Sequence, residues 1–270
     1  MSSVKSTGLT RGLRRILPGL GVGEGGGIPG VGVKSSDPGR TTRLPAEGLK
    51  FPSVPTLLME TYVARLLGHA FGDGYIHATK YYFIYTNKSK ELINEVKDLV
   101  MKCFPKVSIC KRYSIGGIPQ LQFSAKVGRF LQTLGAPRGA KSKQPTRVPQ
   151  IILYGDPIMK KEFLGALCDD EAEIRTNKDC RQITLKAAKL VKLENELDCY
   201  LRQLKQLFYD LGIKCSEPKS DRVYRTRRGE DKIVKRIWIT GHDNLILFAK
   251  KIPISNREKL RQIKAFLQAG

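Results

Sequence analysis

The sequence predicts an α+β protein made of two similar halves, and three observations carry that reading. A nine-residue stretch, Leu66-Leu67-Gly68-His69-Ala70-Phe71-Gly72-Asp73-Gly74, returns in altered form as Leu164-Gly165-Ala166-Leu167-Cys168-Asp169-Asp170-Glu171-Ala172. The likeness extends downstream: aligning Thr86 with Thr184 sets Lys88 opposite Lys186, so the same 98 residues separate Asp73 from Glu171 and Lys88 from Lys186. Around each copy, segments that alternate with period two are interleaved with segments of helical periodicity, as expected of helices laid on antiparallel sheets.

Each copy of the repeat reads as a short apolar helix ending in an acid. Small residues at Gly68 and Gly72, or at Gly165 and Ala166, let a second backbone approach closely. Two strands follow the first helix near Tyr75–Thr79 and Tyr81–Thr86, then a helix with Leu92, Val96, Leu99 and Cys103 on one face. Strands near Val107–Tyr113 and Gln120–Ser124 and a helix over Val127–Leu134 close the half. The second half repeats the order: strands near Ala172–Thr176 and Gln182–Lys186, then a helix on which Leu193, Leu197, Leu201, Leu204 and Leu207 recur every three or four residues. Strands near Arg222–Thr226 and Ile233–Thr240 follow, and helices over Asn244–Lys250 and Arg257–Leu267 end the chain. The expected divisions are a glycine-rich basic segment (1–55), a first half (56–140), a linker (141–157) and a second half (158–270).

Composition narrows the partner. Lys and Arg number 48 against 25 Asp and Glu, a formal charge of +23, which points to a polyanion. The six cysteines show no C-x-x-C spacing and the three histidines start no H-E-x-x-H cluster, so neither a zinc site nor a disulfide framework is expected. No long apolar run suggests a membrane span. Residues 1–50 hold 12 of the 26 glycines and no aromatic residue, too little apolar surface to offset ordering. Disorder is expected there, with an organellar leader as the minor reading and an intracellular, cytoplasmic, reducing setting as the main one.

The acids carry the chemistry. A carboxylate at a helix C-terminus faces the negative end of the macrodipole, at a cost of about 0.3–1 kcal/mol, and two packed helices would bring two such groups together. A hard divalent cation such as Mg²⁺, which takes oxygen ligands and fills its shell with water and phosphate oxygens, relieves that conflict. Read alone, Asp73 followed by Gly74 is equally a polar helix terminus. On the strands, Gln120, Gln122 and Ser124 alternate with Leu121 and Phe123, leaving one face of donors and acceptors suited to base edges.

With these residues the chain resembles the two-motif, single-chain LAGLIDADG homing endonucleases, from about Leu57 to the C-terminus. Leu66–Gly74 matches the first motif and Leu164–Ala172 the second, and Gly135-Ala-Pro-Arg-Gly-Ala-Lys141 with Val148-Pro149 is similar to the segment joining the family's halves. Ala172 stands where the family has glycine, and His69 and Cys168 are unusual in the motif helices. The resemblance implies two pseudo-twofold-related αββαββα halves with curved antiparallel sheets, joined at the packed motif helices. It also implies Mg²⁺-dependent cutting of double-stranded DNA by a monomer. Asp73 and Glu171 are then the metal-holding catalytic acids, with Gly72 and Asp170 beside them in the metal set.

Lys88 and Lys186 are expected near the acids, orienting water or stabilising phosphate charge; plain phosphate contacts or solvated strand ends are the other readings. Lys80, Lys111, Arg112, Gln120, Gln122, Arg175, Arg181, Arg225, Arg227 and Lys235 form the expected nucleic-acid surface. The alternative is a binding protein without cleavage, either a maturase on intron RNA or a DNA-binding regulator. Self-splicing as an intein is not expected, because no Cys, Ser or Thr begins the chain and no Thr-x-x-His block occurs.

Overall fold

The order helix, two strands, helix, two strands, helix holds in both halves of the structure, a computed structural model that describes residues 56–177 and 180–268. The glycine-rich segment expected to be disordered lies outside the described residues. In the first half α1 (Thr56–Phe71) leads to β1 (Gly74–Ile76), β2 (Phe83–Thr86), α2 (Lys90–Cys103), β3 (Ile109–Tyr113), β4 (Pro119–Phe123) and α3 (Ala125–Thr133). A 3₁₀ turn (Lys141–Lys143) and α4 (Gln150–Leu153) occupy the stretch expected to be a linker. They form because Val148, Ile151 and Ile152 are buried, so that stretch packs as part of the core.

The second half runs α5 (Pro157–Glu171), β5 (Ala172–Asn177), β6 (Cys180–Leu190), α6 (Glu194–Asp210), β7 (Lys219–Arg225), β8 (Asp231–Ile239) and α7 (His242–Lys251), with α8 (Arg257–Gln268) after it. The helix starts are chemically marked. The Ser89 hydroxyl accepts from Leu92 N at 3.3 Å at the head of α2. Asp156 accepts from Met159 N at 2.9 Å at the head of α5, with Pro157 in the first turn.

The strand orders are β1-β2-β4-β3 and β5-β6-β8-β7, antiparallel throughout, so the two sheets have one topology. Each turns one face to its helices: Phe83, Tyr85, Leu121 and Phe123 in the first, Ile183, Leu185, Ile237 and Ile239 in the second, all buried. Successive side chains point to opposite faces, so their neighbours form an outer face in each half.

The register corrects the alignment read from sequence. Gly74 pairs with Tyr85, whereas Ala172 pairs with Leu185. The second hairpin is therefore two residues longer, and Lys186 occupies the place of Thr86 rather than of Lys88. The shared 98-residue offset holds for α1 and α5 and lapses within the hairpins that follow them.

Candidate active site

Helices α1 and α5 pack at their small residues. A Cβ at Gly68 would lie 2.7 Å from Ala166 Cβ and also press on the Phe163 carbonyl, and one at Gly72 would overlap the Asp170 carboxylate. Gly165 makes room instead for the Pro253 carbonyl and Arg65. This close approach brings the helix ends together, so that Asp73 N donates to Asp170 Oδ2 at 3.1 Å across the interface.

Asp73 and Glu171 both reach solvent at that point. Asp73 is partly shielded from water and lies in the negative field of Asp170 and Glu171; together these push its carboxyl up to about 7. Shielding likewise raises the Glu171 carboxyl, with Lys141 opposing. Asn87 Nδ2 donates to Asp73 Oδ2 at 2.8 Å and lies 3.3 Å from Tyr85 Oη. In the second half, register places Ala187 where the first half has Asn87, so no amide serves Glu171 from that strand.

Two lysines that sequence reasoning missed stand beside the acids. Lys141 Nζ donates to the carbonyls of Phe71, at 2.8 Å, and of Gly72, while Lys259 Nζ donates to Cys168 O at 2.8 Å and Asp169 O at 2.7 Å. Each meets the last carbonyls of one motif helix and so opposes the negative end of its dipole. Each also lies eight residues beyond the end of its half's closing helix, α3 or α7. That shared position was the available signal, hidden by the unequal lengths of the segments before it. Burial lowers the pKa of both lysines, against the pull of the surrounding carboxylates. Lys189 holds the segment carrying Lys141 by donating to Lys141 O, Gln144 O and Thr146 Oγ1 at 2.6, 2.8 and 2.6 Å; burial lowers it to about 8.

The other expected site residues differ in placement, and Lys186 lines one cavity with Glu171 and Lys141. Lys88 is exposed in the bend after β2, while its neighbour Asn87 reaches the acid. Lys186 sits on the outer face, 3.0 Å from Glu173 Oε2 and 3.8 Å from Asp221 Oδ2. The side chain of Asp170, expected in the metal set, is shut off from solvent; its carboxylate accepts from Tyr85 Oη at 2.6 Å and Asp73 N, and meets His69 Nδ1 at 3.1 Å. The Gly72 carbonyl is held by Lys141.

On the nucleic-acid surface, Arg112, Gln120, Gln122 and Arg175 share the outer faces, and Lys80 and Arg227 stand exposed in hairpin turns. Lys111, Arg181 and Arg225 follow the opposite alternation; Arg225 donates to Gly229 O at 3.2 Å. Lys235 faces the helices, where Glu194 and Asp198 bind its Nζ at 2.6 and 2.8 Å. Lys235 shares the phase of the buried Ile233, Ile237 and Ile239, and Arg236 and Trp238 take the opposite, outer phase.

Among the described residues, no group of three or more His, Cys, Asp or Glu side chains is arranged to hold a metal. Asp73 and Glu171 offer two raised, crowded carboxylates and only oxygen donors, which fits a hard divalent cation drawing its other ligands from water and substrate. Among the same residues, no helix is long and apolar enough to cross a membrane.

No protein-family model matches the chain. The tRNA-splicing ligase RtcB of Pyrococcus abyssi is 27% identical over 204 residues, 70% of this chain and 22% of the ligase. The same-named protein of Methanopyrus kandleri is 25% identical over 219 residues, 74% of this chain and 21% of the ligase. The chain thus spans about a fifth of the length of the curated relatives it matches. Mesophilic variants of the homing endonuclease I-DmoI have the same fold: the TM-score is 0.51 at 17% identity, over 76% of this chain and 98% of that one.

Proposed function

We propose that the chain is a site-specific, double-strand DNA endonuclease that works as a monomer with Mg²⁺. The observation that carries this reading is the meeting of Asp73 and Glu171, whose mutual repulsion is relieved by a cation, at the junction of two helices flanked by two polar sheet faces. The fold shared with I-DmoI variants, described as a homing endonuclease, agrees with it, and the charge of +23 suits a duplex.

In this mechanism Asp73 and Glu171 would hold the divalent ion. When bound, such an ion neutralises charge on the phosphate and makes water a stronger nucleophile near neutral pH. Asn87 fixes the Asp73 carboxylate by its 2.8 Å hydrogen bond. Lys141 and Lys259 keep positive charge at the helix ends, where phosphate charge develops. The outer faces grip the duplex, phosphate contacts supplying most of the affinity and base contacts about 1–3 kcal/mol each of discrimination.

The test is cleavage of a plasmid carrying the gene's own locus without the intervening sequence, in Mg²⁺, Ca²⁺ or EDTA. One double-strand cut that requires Mg²⁺ is expected. Asp73→Asn and Glu171→Gln should each slow it by about 10³-fold or more, the several kcal/mol that metal-assisted phosphate chemistry supplies. Full cleavage by Asp73→Asn would refute the assignment. The second half, with Ala172 and no amide serving Glu171, favours a second reading: binding without cutting, to DNA as a regulator or to intron RNA as a maturase. A salt-matched competition between duplex and intron RNA separates those two. Ligation is not proposed, because the matched segment is only about a fifth of each ligase.

A further inference from the structure

The outer faces of the two sheets place different chemistry at equivalent positions. In the first, one cross-strand row runs Thr86, Gln120, Arg112; in the second, the same row runs Lys186, Arg236, Lys219. Three cations side by side repel. The second half answers with two acids that have no counterpart in the first, where Tyr75 occupies the place of Glu173.

Asp221 Oδ1 lies 3.2 Å from Arg236 Nη1, and its Oδ2 lies 3.8 Å from Lys186 Nζ. Glu173 Oε2 lies 3.0 Å from Lys186 Nζ, and its Oε1 accepts from Arg175 Nε at 2.8 Å. Asp221 follows Lys219 by two residues and so shares its face; β7 is irregular between Ser220 and Arg222, Ser220 pairing with Lys235 and Arg222 with Val234, and this bulge adds Arg222 to the same face. Without the bulge, Asp221 and Arg222 could not share the outer face. In the first half, Gln120 Nε2 donates to Thr86 Oγ1 at 2.8 Å, and Arg112 Nε donates to Cys110 Sγ at 3.4 Å.

These pairs occupy the groups that would otherwise bind phosphate anywhere on a duplex. An acid on a DNA-facing surface repels phosphate but accepts from an exocyclic amine, whereas a guanidinium released from its acid bonds guanine in bidentate fashion. We propose that Asp221 and Glu173 are specificity-determining residues of the second half: they hold Arg236 and Lys186 from unspecific phosphate contact until a G·C edge replaces the ion pairs. Arg236 then reads guanine O6 and N7, and an acid takes the cytosine amine. The amides Gln120 and Gln122 give the first half a different preference, for adenine. This rests on the DNA-binding reading above.

The test is selection from a randomised duplex library by the wild-type chain and by Asp221→Asn, Glu173→Gln and the double variant, with affinity for a scrambled duplex measured at several salt concentrations. Wild-type protein should select a motif rich in G·C under one half. The double variant should lose that preference, keep the other half's, and bind scrambled DNA about tenfold more tightly, with a salt slope steeper by about 0.9 per freed cation. An unchanged motif and slope with only a lowered melting temperature would make the acids structural and overturn this inference alone. Failure of the wild-type chain to retain any duplex would overturn the DNA-binding reading and this inference with it.

Discussion

The two sides of the α1–α5 interface make the same contact with opposite chemistry. On one side Arg65 of α1 meets Asp169 of α5, Nη2 to Oδ2 at 2.9 Å. The residues 98 positions away from these are Phe163 and Phe71, and they meet too, as an edge-to-face ring pair at 5.5 Å. The positions 98 residues from His69 and Asp170 hold Leu167 and Gly72, which carry no polar side chain. Backbone packing therefore keeps the duplication while side-chain polarity does not. The charged pairs between the two motif helices lie on the first side, where Arg65 also binds Glu95, Glu162, Ser255 Oγ and the Pro253 carbonyl. Small residues at the crossing set the helix separation, and flanking pairs need only match in volume and satisfy their own polar atoms.

The contrast can be broken first at Arg65. Arg65→Met leaves Asp169 and Glu95 without their cation and should cost about 3–5 kcal/mol in urea unfolding. Its duplicate-related counterpart, Phe163→Leu, should cost about 1 kcal/mol; equal costs would show the polar side to be no more tightly coupled than the apolar one. Next, His69→Leu copies the second half into the first. Burial opposes the imidazolium, but Asp170 and Glu95 outweigh it and raise the His69 pKa. A double-mutant cycle between His69→Leu and Asp170→Ala should return a coupling of about 1–3 kcal/mol.

A smaller effect separates the acids. Asn87→Ala removes one hydrogen bond, about 1 kcal/mol, and should slow cutting of a single strand severalfold, visible as accumulated nicked plasmid. Equal slowing of both strands would place Asn87 in the service of both acids. The smallest effect is on pH. His69 and Asp73 each bind a proton more tightly in the folded chain than in the unfolded one. The His69 contribution is complete below about pH 6.5 and is lost as pH rises through its raised value. That of Asp73 is lost between about pH 4 and its folded value near 7. In EDTA the melting temperature should therefore fall from pH 5 to pH 8, less steeply in His69→Leu. Mg²⁺ should restore more stability at pH 8 than at pH 5, because ion binding requires the carboxylates deprotonated.

The longer hairpin of the second sheet explains why matched spacing misled. A two-residue insertion keeps alternation intact, so the apolar pattern survives and the alignment looks continuous. Only pairing across the ladder reveals that Lys186 stands where Thr86 does. The lysines at the acids, Lys141 and Lys259, arrive from segments that pattern alone leaves unplaced.

What the sequence determined by itself was the duplication, the element order and the convergence of Asp73 with Glu171. Helical and strand periodicities are local, and a repeated helix with small residues on one side has an evident partner in its own copy. What tertiary structure decided was which polar groups surround those acids. Asn87 was chosen by its hydrogen bond to Asp73, and Lys141 and Lys259 by chain return. Each of these depends on where separate elements cross, which is fixed by packing between residues far apart in the chain rather than by any pattern along it.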